Sequence, residues 1–186
     1  MKLTSILLTV LLGLSHATSQ ETAPLSIYTN IAIGLSFANY VDNTWGGSVR
    51  GGVTINYDGF NARFDRMVNN EMQSQGPQEK ISTNSILIGY SLHVIPKYEE
   101  ADVVLSGRLG LGYAESSRPA HPFFINPSPE NANTPLIVEK TTGGVWELDL
   151  EVRLSSYVGF SFGGLWNSNP VRSYHTITSG LLLGFF

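Results

Sequence analysis

The chain has 186 residues, no Cys, and 11 Lys and Arg against 15 Asp and Glu. Without Cys, disulfide frameworks, thiolate metal sites and cysteine nucleophiles are excluded, and a formal net charge of −4 leaves no basic footprint for nucleic acid. Charged residues make up only 14%, well below the level of ordinary soluble domains, while the apolar content excludes a disordered chain.

Residues 1–17 open with Lys2, continue as an apolar run over 3–14 and end in Ser15-His16-Ala17. One cation, a short apolar core and small residues at the −3 and −1 positions are the three parts of a secretory signal peptide. The run is too short for a transmembrane helix, which needs ~20 apolar residues. Cleavage after Ala17 is expected, leaving residues 18–24 as a short periplasmic segment and 25–186 as the folded unit. An exported chain without Cys must be held by packing or closure.

From residue 25 onward, apolar and polar residues alternate with period 2 in eight segments: 25–37, 45–57, 60–68, 82–94, 103–114, 145–154, 157–166 and 174–186. In the first, Leu25, Ile27, Ile31, Ile33, Leu35 and Phe37 share one parity, against Ser26, Asn30, Gly34 and Ser36. In the sixth, Trp146, Leu148, Leu150, Val152 and Leu154 oppose Glu147, Asp149, Glu151 and Arg153. Side chains alternate across a strand, so each segment has one apolar and one polar or small face.

The connections are unequal. Those at 38–44, 69–81, 115–144 and 167–173 span seven residues or more, whereas Asp58-Gly59 and Ser155-Ser156 are two-residue turns. Both positions of Asp-Gly tolerate φ > 0, which makes it a strong hairpin signal. The connection at 95–102 is longer than this asymmetry wants. Short turns on one side and long loops on the other predict an all-β fold: an eight-stranded antiparallel up-and-down transmembrane β-barrel.

The placement of the aromatic residues separates this barrel from a soluble one. Trp45, Tyr113, Trp146 and Trp166 fall at strand ends facing the long loops; Tyr57, Phe60, Tyr157 and Phe185 fall at ends facing the short turns. Two aromatic girdles bracketing an apolar band are the signature of a membrane interface.

The signal peptide, the eight alternating segments, the Gly-rich second face and the aromatic C-terminus together resemble the small eight-stranded outer-membrane barrels, the opacity-protein, OmpX and OmpA-barrel group. The resemblance covers residues 25–186 and is one of architecture rather than of signature motifs. It implies a bacterial outer-membrane location and a structural or surface-interaction role through external loops, without enzymatic activity or cofactor. It further implies a monomer surrounded by lipid and lipopolysaccharide, assembled by the barrel-assembly machinery through its C-terminal strand, with a host or surface molecule as candidate ligand. The family's last strand ends in Phe with apolar residues at every second position before it. Here Phe186, Gly184, Leu182, Gly180 and Thr178 fit that poorly, whereas Phe185, Leu183, Leu181 and Ile177 fit when displaced by one and are expected to face lipid.

The polar parity collects Arg50, Arg63, Arg108 and Arg153 against Asp65, Glu147, Asp149 and Glu151. An eight-stranded barrel is just wide enough for side chains to fill, and buried charges are tolerated when paired. A salt-bridge network plugging the lumen is therefore expected; a narrow ion path is the alternative. A lipid-A-modifying enzyme would need Ser and His together near the interface. The mature histidines are His93, His121 and His175, and Ile177 stands two residues after His175 where a deacylase pattern would put Ser.

The segment 115–144 reads as one long external loop with Pro119, Pro122, Pro127, Pro129 and Pro135. It carries Phe123-Phe124-Ile125, a candidate external contact, and Leu136-Ile137-Val138. Its usable tryptic site is Lys140, because Arg118 precedes Pro119. Arg66 is the one charge on the lipid parity of the first seven segments. It can snorkel to the outer rim and meet lipopolysaccharide phosphates, or be turned inward by a bulge.

Overall fold

The computed structural model describes residues 25–38, 45–71, 80–98, 101–119, 136–171 and 173–186. They form eight strands: β1 (Leu25–Ala38), β2 (Trp45–Tyr57), β3 (Phe60–Glu71), β4 (Lys80–Tyr98), β5 (Ala101–Pro119), β6 (Leu136–Arg153), β7 (Val158–Ser168) and β8 (Tyr174–Phe185). Each strand pairs antiparallel with its sequence neighbour, and β1 closes on β8 from Ile27↔Phe185 to Ala38↔Tyr174. Closure leaves no free sheet edge through the band where all strands pair, which is what hydrocarbon demands of a spanning sheet.

Parity governs burial on every strand. In β2 the exposed positions include Trp45, Val49, Val53, Ile55 and Tyr57, while Ser48, Arg50, Thr54 and Asn56 are buried. The apolar parity therefore faces outward and the polar parity faces the lumen, the inverse of a soluble barrel. On β8, Leu182 and Thr178 are buried, and Phe185, Leu183 and Ile177 face out. The displaced set is the outward one.

The turn end is tighter than the spacing suggested between β4 and β5 but looser between β6 and β7, where residues 154–157 join the strands instead of a two-residue turn at Ser155-Ser156. The β2–β3 hairpin turns at Asp58 (φ 50°) and Gly59 (φ 83°), and Ser155 Oγ accepts from the Tyr157 and Val158 amides in the β7 approach. The connection expected over 95–102 is mostly strand: β4 runs to Tyr98, which pairs with Ala101. Register shifts between His93 and Tyr98 break the period-2 pattern there, which is why alternation stopped short of the turn.

At the loop end β5 and β6 continue as a paired ribbon, from Tyr113↔Thr142 to Pro119↔Leu136. The expected loop 115–144 is thus shorter by both flanks, and Leu136-Ile137-Val138 lie in β6. Lys140 stands opposite Glu115, with Nζ 3.5 Å from its carboxylate. A ladder residue is a poor protease site, so Lys140 is not the tryptic site that the loop reading implied. Phe123, Phe124 and Ile125 lie outside the described residues.

Candidate functional site

The eight charges read from the sequence on the polar parity are all buried in the lumen. Glu147 on β6 is the hub. It accepts from Arg63 Nη1 at 2.9 Å and Arg108 Nη1 at 2.7 Å, and it pairs with Arg50. Arg50 also pairs with Asp65, its Nε donating at 2.7 Å. Asp149, the next inward residue of β6, accepts from Arg63 at 3.0 Å and Arg108 at 3.1 Å. One turn-ward step further, Glu151 takes Arg108 Nη2 at 2.9 Å and Arg153 Nη2 at 3.1 Å. Three consecutive inward carboxylates on one strand thus face guanidiniums reaching across from β2, β3 and β5. Arg supplies the planar fork that lets one side chain serve several carboxylates.

Several members were not read from the sequence. The Tyr28 hydroxyl donates to Glu151 at 2.9 Å and accepts from Arg108 at 3.3 Å. Asn61 Oδ1 accepts from Arg108 Nε at 2.7 Å. Asp102 lies 3.6 Å from Arg153 and 2.8 Å from His93 Nδ1. The spacing places Asp102 at the end of a connection, yet it shares the even parity of Ser106 and Arg108 on β5; carrying the alternation one residue further finds it. At the turn end Phe186 meets the Tyr28 ring at a tilt, with centroids 5.1 Å apart, and the Arg153 guanidinium sits 5.0 Å over Phe186.

A second feature of the lumen was also missed. Met67, Ile81, Leu87, Val145, Leu165 and Tyr174 are buried apolar side chains forming one cluster. Met67 is the next inward residue loop-ward of Asp65, and Val145 of Glu147. Beyond them polarity returns: the Tyr174 hydroxyl donates to Thr83 at 2.7 Å, and Ser36 donates to Asn69 at 2.7 Å. These apolar residues sit on the parity read as polar, so an alternation search passes over them.

On the outer wall, cross-strand pairing lines up Trp146, Trp166, His175, Phe37 and Trp45 as neighbours over five strands; Trp146 lies inside β6 rather than at the strand end expected of it, because β6 extends loop-ward to Leu136. Trp146 and Trp166 stack with centroids 4.6 Å apart. At the turn end Phe60 meets Tyr90 edge-on at 5.1 Å, and Tyr157 meets Phe185 at 5.5 Å. Tyr57 stands opposite Phe60. Tyr113 continues another row, Gly51–Arg66–Asn84–Tyr113. Arg66 is exposed on the outer face, and both its ladders pass through it without a register shift, so no bulge turns it inward. His175 lies between Trp166 and Phe37, and among the described residues no Ser hydroxyl is bonded to it.

No protein-family model and no curated protein matches this sequence. Solved structures do match in fold. Neisserial surface protein A superposes with a TM-score of 0.62 at 11% identity, covering 86% of this chain and 97% of its own. Ail, the attachment invasion locus protein of Yersinia pestis, gives 0.53 at 13% identity, covering 87% and 97%. A de novo designed transmembrane β-barrel gives 0.50 at 14%, covering 89% and 99%. Near-complete coverage of each of these chains means that the whole barrel is shared, and the chain has the fold of the small eight-stranded membrane β-barrels.

Proposed function

We propose that this protein is an integral barrel of the bacterial outer membrane, exported by the signal peptide at 1–17, with a structural or surface-interaction role. The observation that carries the reading is the inverted surface. Ile33, Leu109, Leu111 and Phe162 are each at least 60% exposed at mid-strand, while nine charged side chains among the described residues are buried inside. Soluble monomers rarely expose contiguous apolar patches beyond a few hundred Å², whereas an apolar band between aromatic girdles suits hydrocarbon.

In this reading the loop end faces the cell exterior and the turn end the periplasm. Phe123, Phe124 and Ile125 are the candidate contact for a host or surface molecule. Arg66 reaches lipopolysaccharide phosphates from the outer wall. The outward set Phe185, Leu183, Leu181 and Ile177 is what the assembly machinery reads, and the barrel acts as a monomer, without cofactor or enzymatic activity.

The test combines fractionation with phenotype. The protein is expected in the outer-membrane fraction of a density gradient. A deletion strain should lose either resistance to detergent or adhesion to a host surface. Serine at 123–125 should abolish adhesion and leave detergent resistance intact. Recovery of the protein in the soluble periplasm would overturn the reading.

A further inference from the structure

Among the described residues eight buried side-chain polar atoms have no protein hydrogen-bond partner; Arg153 Nε stands apart near the turn end, and the other seven fall in two groups. Asn30 Oδ1, Thr54 Oγ1, Arg63 Nε and Nη2 and Asp65 Oδ1 form the first. They surround Gly52 on three adjacent strands, where Asn30, Gly52 and Asp65 are cross-strand neighbours, as are Tyr28, Thr54 and Arg63. Ser48 Oγ and Asn69 Nδ2 form the second, on residues directly opposite each other toward the loop end. Buried polar atoms left open by the protein are met by ordered water. Donors and acceptors are mixed in the first group, which suits water better than a simple anion.

The two groups are divided by the apolar cluster. On β3 the inward sequence is Arg63, Asp65, Met67, Asn69, so Met67 stands between them. Packing there is tight. A Cβ on Gly112, on the strand between those of Leu87 and Val145, would come within 2.7 Å of Val145 Cγ2 and 3.1 Å of Thr83 Cγ2, so β5 has no room for a side chain beside the cluster. An ion crossing such a layer must shed its water against side chains that are apolar or, like Thr83 and Thr176, already hydrogen-bonded within the wall, which is how apolar constrictions stop permeation. The charge network, by contrast, offers polar partners along its length.

We propose that Met67, Leu87, Val145 and Leu165 form the permeation seal of the barrel, a dry layer between two hydrated compartments. The ion-pair network is a wet vestibule on the turn-end side and is not itself the barrier. The inference rests on the filled-lumen reading above and assigns the block within it.

The test is conductance of folded protein in planar bilayers. Wild type is expected to give no resolved steps. Met67→Ala/Leu87→Ala should give discrete steps, as should Leu87→Asn, which keeps side-chain volume while wetting the layer. Folding of each variant is checked by a gel mobility that changes on boiling, and the near-isosteric Leu87→Asn decides if the double variant does not fold. Glu147→Gln, which weakens the network but keeps the seal, should remain silent. Folded seal variants as silent as wild type would overturn the seal alone, as would conduction by Glu147→Gln without them. Steps from wild type would instead overturn the filled-lumen reading beneath it.

Discussion

Glu147 touches three guanidiniums and Asp149 two, Arg63 and Arg108. Removing one partner of a buried pair costs ~3–5 kcal/mol, because the remaining charge is left uncompensated. Glu147→Ala should sit at the upper end and Asp149→Ala lower, read as urea midpoints in lipid vesicles falling from wild type through Asp149→Ala to Glu147→Ala. Equal midpoints for all three would mean that the network contributes nothing to stability. Gly163 serves the same network by its absence of side chain. A Cβ there would collide with the Asp149 carboxylate and come within 2.7 Å of the Leu148 carbonyl, so Gly163→Ala should cost about 1–3 kcal/mol in the same assay. That the eight charges face the lumen was legible from parity, because parity is local. Which Arg meets which carboxylate was not, because partners across the bore are set by strand tilt and stagger, which no local pattern records.

At the scale of the element, the β2–β3 hairpin turns on a left-handed pair whose geometry Asp58-Gly59 announced. The Gly59 amide donates to Asn56 Oδ1 at 3.2 Å and its carbonyl accepts from the Ser91 amide at 2.7 Å. The Tyr90 ring covers the glycine, where an added Cβ would lie 2.8 Å from it. Gly59→Ala should therefore cost roughly 1–2 kcal/mol for the left-handed backbone, beyond what moving Tyr90 adds. A midpoint unchanged from wild type would place the turn's stability elsewhere. The strand ends were legible only where both signals agreed. The bounds of β1 and β2 follow the alternation to within a residue, whereas β5 and β6 outrun it: past Tyr113 the outward positions become Glu115, Ser117, Lys140 and Thr142. The backbone ladder continues there, but an outward face no longer confined to hydrocarbon has no reason to be apolar. In β4 the register shift removed the signal instead.

At the scale of the molecule, closure and polarity make separate predictions. A closed eight-stranded barrel unfolds as a unit, so unboiled protein should migrate apart from boiled protein in detergent gels, with a β-type circular dichroism spectrum. Co-migration with a helical spectrum would dispose of the barrel. Trp45 and Trp166 lie at the loop ends of β2 and β7, and Trp146, farther along β6, stacks on Trp166. Lipids brominated near the headgroup should then quench Trp emission more than lipids brominated at the chain ends. Deep quenching would mean that the girdle is not at an interface.

The direction of insertion is a further property of the whole molecule, and it decides which surface other molecules meet. Strand number is even, so the start of β1 and the end of β8 fall on the turn end and the long connections share the other. If the N-terminal segment is delivered to the periplasm, β1 runs outward and the connection between β5 and β6 is external. An epitope tag at 131–133 should then be stained on unbroken cells, and one at Ser155, in the β6–β7 turn, should need permeabilisation. Protease adds an independent reading. Chymotrypsin should cut intact cells after Phe123 or Phe124, while trypsin should spare Lys140, which is held in the ladder opposite Glu115. Fragments of the two halves should stay together in unboiled gels, because β5 and β6 pair from Asp102↔Arg153 to Pro119↔Leu136 and each half keeps its other neighbours. Staining of the Ser155 tag on unbroken cells, with the 131–133 tag hidden, would invert the strand direction and move the candidate contact surface to the periplasm.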